Sequence, residues 1–585
     1  MLGGGLSATQ FGPLLTDRGV TFRLWAPAAR EVDLVLERRM PMRKAGEWFV
    51  LEVPQAGTGT CYRFRIDDDI EIPDPVSHFQ PEDVHGPSEV IDHAYRWQCG
   101  DWKGRPWLNA VFLEAHVGTF TPDGTFRGMM ERLDHLAATG ITALELMPVS
   151  DFPGRWNWGY DGVLLFAPDS SYGRPDDLKA LIDAAHARGL MVFLDAVYNH
   201  FGPEGNYLGR ISPQFFNDAQ TPWGGAIDYR VPEVRRFAIE NALHWLREYR
   251  FDGLRLDAVH AIVTRGEPDI LIELSRAVGK FAQASGRHIH LVLENDDNSA
   301  SLLAPDEEPA SGRYRAQWND DYHHAWHVLL TGEAQSYYRD YGHTRHLVRS
   351  LSQGFAYQGE PSRHRGGRPR GEPSWHLPPE AFVNFLQNHD QIGNRPLGER
   401  LTALAKPDAL AAALSVLLLQ PSPPLLFMGE EWGATEPFPF FCDFKGELAE
   451  AVRNGRKREF AEAYARHASI PDPISPDTRA SAVLDWEAIT RPEHARRLEL
   501  TCALLDVRRR AIVPLLAAIR ESEVSFDDGV LSGRWQAGSK VLKLLANLTD
   551  VALRRAEMNW GEPIWGGEPP SKLPPWSVYA AIGDA

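Results

Sequence analysis

The chain has 585 residues, 43% of them hydrophobic and 24% charged, the balance of a globular protein with a sizeable core spread over about two to four domains. Its net charge is −18 and its basic residues form no long block, which argues against nucleic acid or an anionic membrane as the main partner and leaves a neutral substrate such as a glucan open. No run of about 18 apolar residues occurs, so no membrane span is expected.

The N-terminal "MLGGGLSATQFGPLL" lacks a basic region followed by a long apolar stretch, so no secretory signal is expected and a cytoplasmic location is. The four cysteines, Cys61, Cys99, Cys442 and Cys502, show no metal-type spacing. They read as buried small hydrophobes in a reducing compartment. Over residues 1–98, short β-prone runs alternate with turn residues ("GVTFRLWAPAA", "EVDLVLE", "EWFVLEVP", "CYRFRI"), the pattern of a small β-sandwich, and "CGDWKGRPW" reads as the linker out of it.

From about residue 110 strands and helices alternate. "VFLEAHV" precedes the helical "MMERLDHLAATG". "ITALELMPV" precedes a helix that should open at Pro175, carry Asp176 and Asp177 in its first turn and stop before Gly189. Next come "LMVFLDAV", a helix opening near Pro232, "FDGLRLDAV", a helix opening near Pro268, and "HIHLVLEN". After a less regular stretch follow "YRAQWN", "AFVNFLQN" and "PLLFMGEE". Strands joined by right-handed helical crossovers build a parallel sheet, and eight of them close into a (β/α)8 TIM barrel, an α/β fold. Such a barrel takes roughly 250 residues. The span 99–515 therefore predicts insertions after the third strand (201–230), between the fifth and seventh, and around 432–480. The Arg/Gly/Pro-rich "RHRGGRPRGEPSW" (363–375) reads as an exposed, solvated loop, and β-like runs over 516–585 as a small C-terminal all-β domain.

Asp195 falls near the end of the third predicted barrel strand and Asp257 near the end of the fourth. Glu294 ends the fifth and Asp390 follows the seventh. These strand ends converge on the face where active sites of this fold lie. Four acids there, accompanied by Arg255, His200 and His389, are a candidate site. Acids with differing neighbours separate a charged nucleophile from a protonated acid at pH 7, the pair that glycosidic cleavage requires.

"DAVYNH" (195–200), "GLRLDAVH" (253–260), "LVLEND" (291–296) and "QNHDQ" (387–391) resemble, in order, the four signature regions of glycoside hydrolase family 13. "FRLWAPAA" is similar to the N-terminal β-domains of its branching and debranching members. The resemblance implies a retaining mechanism with Asp257 as nucleophile, Glu294 as general acid/base and Asp390 as the third acid, which grips the hydroxyls of the reacting glucose. It implies that Arg255 pairs with Asp257 and keeps it ionised, two residues apart on one strand face. His200 and His389 would hydrogen-bond the same sugar, Tyr160 of "WNWGYDG" would be its stacking platform, and Asp195 would orient neighbours. Asn199 matches a position that binds calcium in many α-amylases. No other ligands can be identified, so a hydrogen-bonding role is expected there, and neither metal nor cofactor.

Longer stretches, "HVGTFTPDGTF" (116–126), "FPGRWNWGYDG" (152–162), "GPEGNYLGR" (202–210), "NHDQIGNRPLGER" (388–400) and "GEEWGATEPFPFFCDF" (429–444), resemble a trehalose-releasing branch of the family. This implies hydrolysis of the α-1,4 bond next to the terminal trehalose of malto-oligosyltrehalose, with that and related α-glucans as partners. Selection of the trehalose end requires contacts on the leaving-group side. Phe440, Phe441, Glu430, Glu431 and Trp223 are the candidates. A branching or debranching enzyme shares the barrel and its acids. A catalytically silent glucan-binding protein is the remaining alternative, disfavoured by the intact Asp257, Glu294 and Asp390.

Overall fold

The structure, a computed structural model, describes residues 10–221, 224–263, 266–304, 311–461, 470–555 and 559–585. Its centre is a closed eight-stranded barrel made of Phe112–Ala115, Ala143–Leu146, Met191–Ala196, Gly253–Leu256, His290–Leu293, Ala316–Trp318, Phe382–Phe385 and Pro424–Phe427. Neighbouring strands pair in parallel all the way round, the last closing on the first. All eight strands expected from the sequence are the ones observed.

The period-two alternation of a strand divides the barrel interior into layers. Phe112, Ala143, Phe193, Val292, Ala316 and Val383 belong to one buried apolar cluster near the strand starts. Two residues further on, the same inward face carries Glu114, Glu145, Asp195, Glu294, Trp318 and Phe385. Gly253 occupies the fourth strand's place in the apolar layer, where a Cβ would stand 2.2 Å from Phe193 Cε1. Two residues beyond it comes Arg255. The lower barrel is thus plugged by hydrocarbon, and charge is held to the C-terminal end.

The helices follow the start and stop signals of the sequence. Pro175–Ala187 opens on its proline, with the Asp177 carboxylate accepting the Arg174 N–H. Pro232–Glu248 likewise begins at proline. Ile270–Ser285 starts two residues after Pro268, because Asp269 caps it by accepting the Leu271 N–H. "MMERLDHLAATG" forms two short helices, Phe126–Met130 and Leu133–Thr139, instead of one.

A four-stranded and a five-stranded antiparallel sheet precede the barrel, with a core that includes Val20, Phe22, Leu34, Phe49, Tyr62 and Phe64. They dock on the barrel through Ile211, which joins that core, and through Phe11, edge-on to Phe237 at 5.6 Å. After the barrel, a five-stranded antiparallel sheet runs from Ile519–Asp527 to Val578–Asp584. No helix among the described residues is long and apolar enough to cross a membrane.

Two expectations are corrected. The segment 363–375 is not a purely solvated connection. Arg370 is buried, donating to Asp321 Oδ1 at 2.7 Å and to the Asp296 carbonyl at 2.9 Å, and Arg365 pairs with Asp296 and Asp297. Composition showed the glycines and prolines but not the acids, distant in sequence, that fold the segment inward. The cysteines are all free, but only Cys442 is buried, whereas Cys61 is exposed.

Candidate active site

A cavity of about 320 Å³ opens at the C-terminal ends of the barrel strands. Of the residues predicted from the sequence, Tyr160, His200, Arg255, Asp257, Glu294, His389 and Asp390 line it, Asp390 reaching solvent at its mouth. Asp195 does not line it. It lies buried against Arg255 and accepts the Tyr160 hydroxyl at 2.5 Å, fixing the ring in place.

Arg255 is the centre of the arrangement. Its Nη1 donates to Asp257 Oδ1 at 2.7 Å and to both oxygens of Asp195 at 2.7 and 2.8 Å, while its Nη2 lies 3.8 Å from Glu294 Oε2. The guanidinium rests on the Trp318 ring, 4.2 Å from its centroid. A cation that deep is tolerated because several carboxylates surround it. Asn199 Nδ2 donates to Asp257 Oδ2 at 2.8 Å, the hydrogen-bonding role expected for it.

These neighbours drive the two central carboxyls apart. Burial raises Asp257, but Arg255, His200 and the Asn199 amide more than offset it and hold Asp257 below its ordinary range. Burial also raises Glu294. There Arg255 is the main opposing influence, but it does not offset burial, and Asp257, Asp320 and Asp390 push the same way as burial, so Glu294 ends well above the ordinary carboxyl range. The surroundings thus favour the carboxylate form of Asp257 and the protonated form of Glu294. Burial lifts Asp195 to about 6 against the pull of Arg255.

The backbone fixes the pair as firmly as the side chains do. The Glu294 N–H donates to the Leu256 carbonyl at 2.9 Å, and the Val259 N–H donates to the Glu294 carbonyl at 3.0 Å. The Ala258 N–H donates to Glu294 Oε2 at 2.6 Å.

His389 stacks on Tyr160 with centroids 5.0 Å apart and an interplanar angle of 26°. Its backbone N–H donates to Glu114 Oε2 at 3.0 Å, and its Nδ1 meets Glu114 Oε1. Burial disfavours the His389 cation, but Glu114 outweighs burial and raises the imidazole above its ordinary value. His200 lines the cavity with Nε2 facing the Tyr160 carbonyl at 2.9 Å and Nδ1 facing Asn199.

Sequence reasoning missed Trp158, Ala258, Trp318, Asp320, Asn388, Gln391, Asn394 and Arg456, which complete the lining with Phe440. Asp320 follows the sixth strand as the other acids follow theirs, so the same rule applied to "AQWND" finds it. Burial, with Asp296 and Asp390, lifts it to about 7. Arg456 carries no local signal. It comes from the inserted helix Gly446–Glu459, donates to the Gly393 carbonyl at 2.8 Å, and lies over Phe440 at 5.2 Å.

Of the leaving-group candidates among the described residues, only Phe440 lines the cavity. Phe441 is fully buried against Phe438 and His116. Glu430 turns back to accept the Phe427 N–H at 3.0 Å, and Glu431 meets His135 at 3.1 Å. Trp223 lies outside the described residues.

Residues 95–221 match the family model for the alpha amylase catalytic domain, and residues 10–76 that for carbohydrate-binding module 48, the isoamylase N-terminal domain. The malto-oligosyltrehalose trehalohydrolase of Deinococcus radiodurans is 41% identical over 92% of this chain and 88% of its own length. That of Saccharolobus solfataricus is 40% identical over 82% and 84%. A crystal structure from Salmonella typhimurium described as an alpha amylase superposes with a TM-score of 0.95 at 43% identity, covering 99% of this chain and 100% of that one. Apo pullulanase from Paenibacillus barengoltzii shares the fold at a TM-score of 0.73 and 20% identity, covering 99% of this chain and 95% of its own.

Proposed function

The chain belongs to the malto-oligosyltrehalose trehalohydrolase family of alpha-amylase-type glycoside hydrolases, and from that premise we propose that the cavity cleaves the α-1,4 bond next to the terminal trehalose of a malto-oligosyltrehalose, with retention. The observation that carries the reading is Arg255 bound to Asp257 at 2.7 Å but 3.8 Å from Glu294, one cation holding one acid ionised beside another that keeps its proton.

Asp257 Oδ attacks the anomeric carbon of the glucose preceding trehalose. The bond to the trehalosyl oxygen breaks, and that oxygen takes the proton of Glu294. Trehalose leaves. The Glu294 carboxylate then removes a proton from water, the water oxygen bonds to the anomeric carbon, and Asp257 departs as carboxylate, freeing the shortened maltodextrin. A nucleophile and acid/base acting in this way stand roughly 5–5.5 Å apart.

Asp390 and His389 hold the reacting glucose by its hydroxyls, with the Glu114 carboxylate behind His389 directing Nδ1 inward and leaving Nε2 for the sugar. Tyr160, fixed by Asp195, stacks on the ring's apolar face. His200 reaches the sugar only by exchanging its bond to the Tyr160 carbonyl. Phe440 and Arg456 are assigned to the trehalose side. The four free cysteines fit a reducing, cytoplasmic setting.

Incubation of the purified protein with a malto-oligosyltrehalose, with products resolved over time, tests the reaction. Free trehalose and a shortened maltodextrin are expected. New branch points without trehalose would reassign the chain to a branching activity.

A further inference from the structure

Outside the lining of the catalytic cavity, three histidines from separate parts of the chain meet where the N-terminal sheets join the barrel. His78 lies in the segment leaving the second sheet, His93 in the stretch leading to the barrel, and His244 on the helix Pro232–Glu248. Their ring centroids form a near-equilateral triangle with sides of 4.9 Å (His78–His93), 4.8 Å (His78–His244) and 5.1 Å (His93–His244). His93 Nε2 faces His78 Nδ1 at 3.1 Å. One donor atom from each ring can be chosen so that all three lie within 4.8 Å of one another.

Three further observations bear on what such a cluster does. His244 directs Nε2 at the Phe166 carbonyl, 3.1 Å away. A carbonyl holding one imidazole nitrogen as N–H leaves the other with its lone pair free, the usual outer arrangement behind a metal-ligating histidine. His93 Nδ1 is buried with no hydrogen-bond partner, which is unfavourable for a group whose only task is packing. The spacing also fits. Two nitrogens at about 2.0–2.1 Å from a tetrahedral ion lie roughly 3.3–3.4 Å apart, close to the His78–His93 separation. The remaining donor separations lie within 4.8 Å, and rotation of the partly exposed His78 and His93 rings is the movement by which the three donors would close on an ion.

We propose that His78, His93 and His244 form a three-imidazole site for a divalent transition-metal ion of the zinc class, which ties the exit from the N-terminal sheets to the barrel. Imidazole is neutral at pH 7 and is a preferred ligand of zinc, copper and nickel, whereas calcium and magnesium require oxygen ligands. Lys179 is the opposing charge. Its Nζ donates to the His93 carbonyl at 3.2 Å and to Asp176 at 3.4 Å, with Glu248 and Asp92 as further counter-charges. The fourth position is left for water or another exchangeable ligand.

The test uses the full chain without a histidine tag, stripped with chelator and titrated calorimetrically with zinc chloride alone. Cobalt chloride serves as a spectroscopic stand-in. One equivalent of zinc is expected to bind and raise Tm, and cobalt to give the visible absorption of a tetrahedral nitrogen site. His78→Ala and His93→Ala, both at partly exposed positions, should each abolish the stoichiometric binding and the Tm rise while the metal-free Tm changes little. If a variant does not fold, His93→Gln replaces it with similar volume and no imidazole. Absence of stoichiometric binding in the parent protein would overturn the proposal. So would zinc binding that persists unchanged in the folded variants, since it would place the ion elsewhere, for instance among the catalytic acids.

Discussion

Ala258, the residue after Asp257, donates its backbone N–H to Glu294 Oε2 at 2.6 Å from a left-handed conformation with φ 40° and ψ 49°. A non-glycine residue there is strained by roughly 1–2 kcal/mol, and the strain sits where the fourth strand turns to reach the fifth. Arg255 also approaches Oε2. With both positive groups on Oε2, the proton of neutral Glu294 belongs on Oε1. The chain segment that carries the nucleophile therefore also sets which oxygen of the acid donates.

Asp320 is one of the charges that keep Glu294 protonated. Replacing it with Asn removes a negative neighbour, so Glu294 ionises more readily and its pKa falls. The alkaline limb of kcat/KM against pH should move to lower pH in Asp320→Asn, with the acid limb, set by Asp257, nearly in place. An unmoved alkaline limb would detach Asp320 from the acid/base.

Arg255 neutralises a buried group of acids, and its loss leaves Asp195 and Asp257 facing each other. Removing one partner from a buried ion pair costs about 3–5 kcal/mol. Arg255→Met should lower stability in denaturant titration by that order at neutral pH. It should also raise the Asp257 pKa, so that residual activity needs higher pH. Stability unchanged from the parent would contradict the cluster as described.

Glu114 raises His389, and the sign of the resulting linkage is fixed. A raised folded pKa contributes stability that is complete below the unfolded value of about 6.5 and is lost as pH rises through the folded value. The stability difference between the parent and Glu114→Gln should therefore be largest in mild acid and shrink as pH rises. The variant's kcat should fall more than its KM rises, because a misoriented His389 weakens the grip on the distorted sugar. A pH-independent difference would reduce Glu114 to a packing role.

Phe440 and Phe441 are adjacent in sequence but opposite in placement. Phe440→Ala should reduce kcat/KM on malto-oligosyltrehalose more than on a plain malto-oligosaccharide, by the few-fold that about 0.5–1.5 kcal/mol of stacking represents. Phe441→Ala empties a core position and should cost about 3–5 kcal/mol of stability with the substrate ratio unchanged. Equal effects on both substrates from Phe440→Ala would move selectivity elsewhere.

The contrast between these two shows what the sequence could and could not reveal. Strand alternation and helix signals such as Pro175 and Asp177 are local, and they placed eight barrel strands and the acids at their ends. Which of two neighbouring phenylalanines faces the cleft depends on where an irregular loop runs, which no periodicity encodes. Arg456 reaches the cavity from an insertion, and Glu114 acts through a histidine 275 residues away. Such groups become visible only when the chain is folded. Arg370 is the same case in reverse: it reads as surface and is pulled inside by Asp321.

The most direct test of the account is mass spectrometry of a trapped intermediate. In Glu294→Gln, an α-maltosyl fluoride needs no acid to lose fluoride, while the water step lacks its base, so the glycosyl-enzyme should accumulate. The account predicts a maltosyl adduct on the peptide bearing Asp257, absent from Asp257→Asn, with both variants folded and nearly inactive on malto-oligosyltrehalose. An adduct on Asp390 or Asp320, or no adduct together with a product of inverted anomeric configuration, would contradict it.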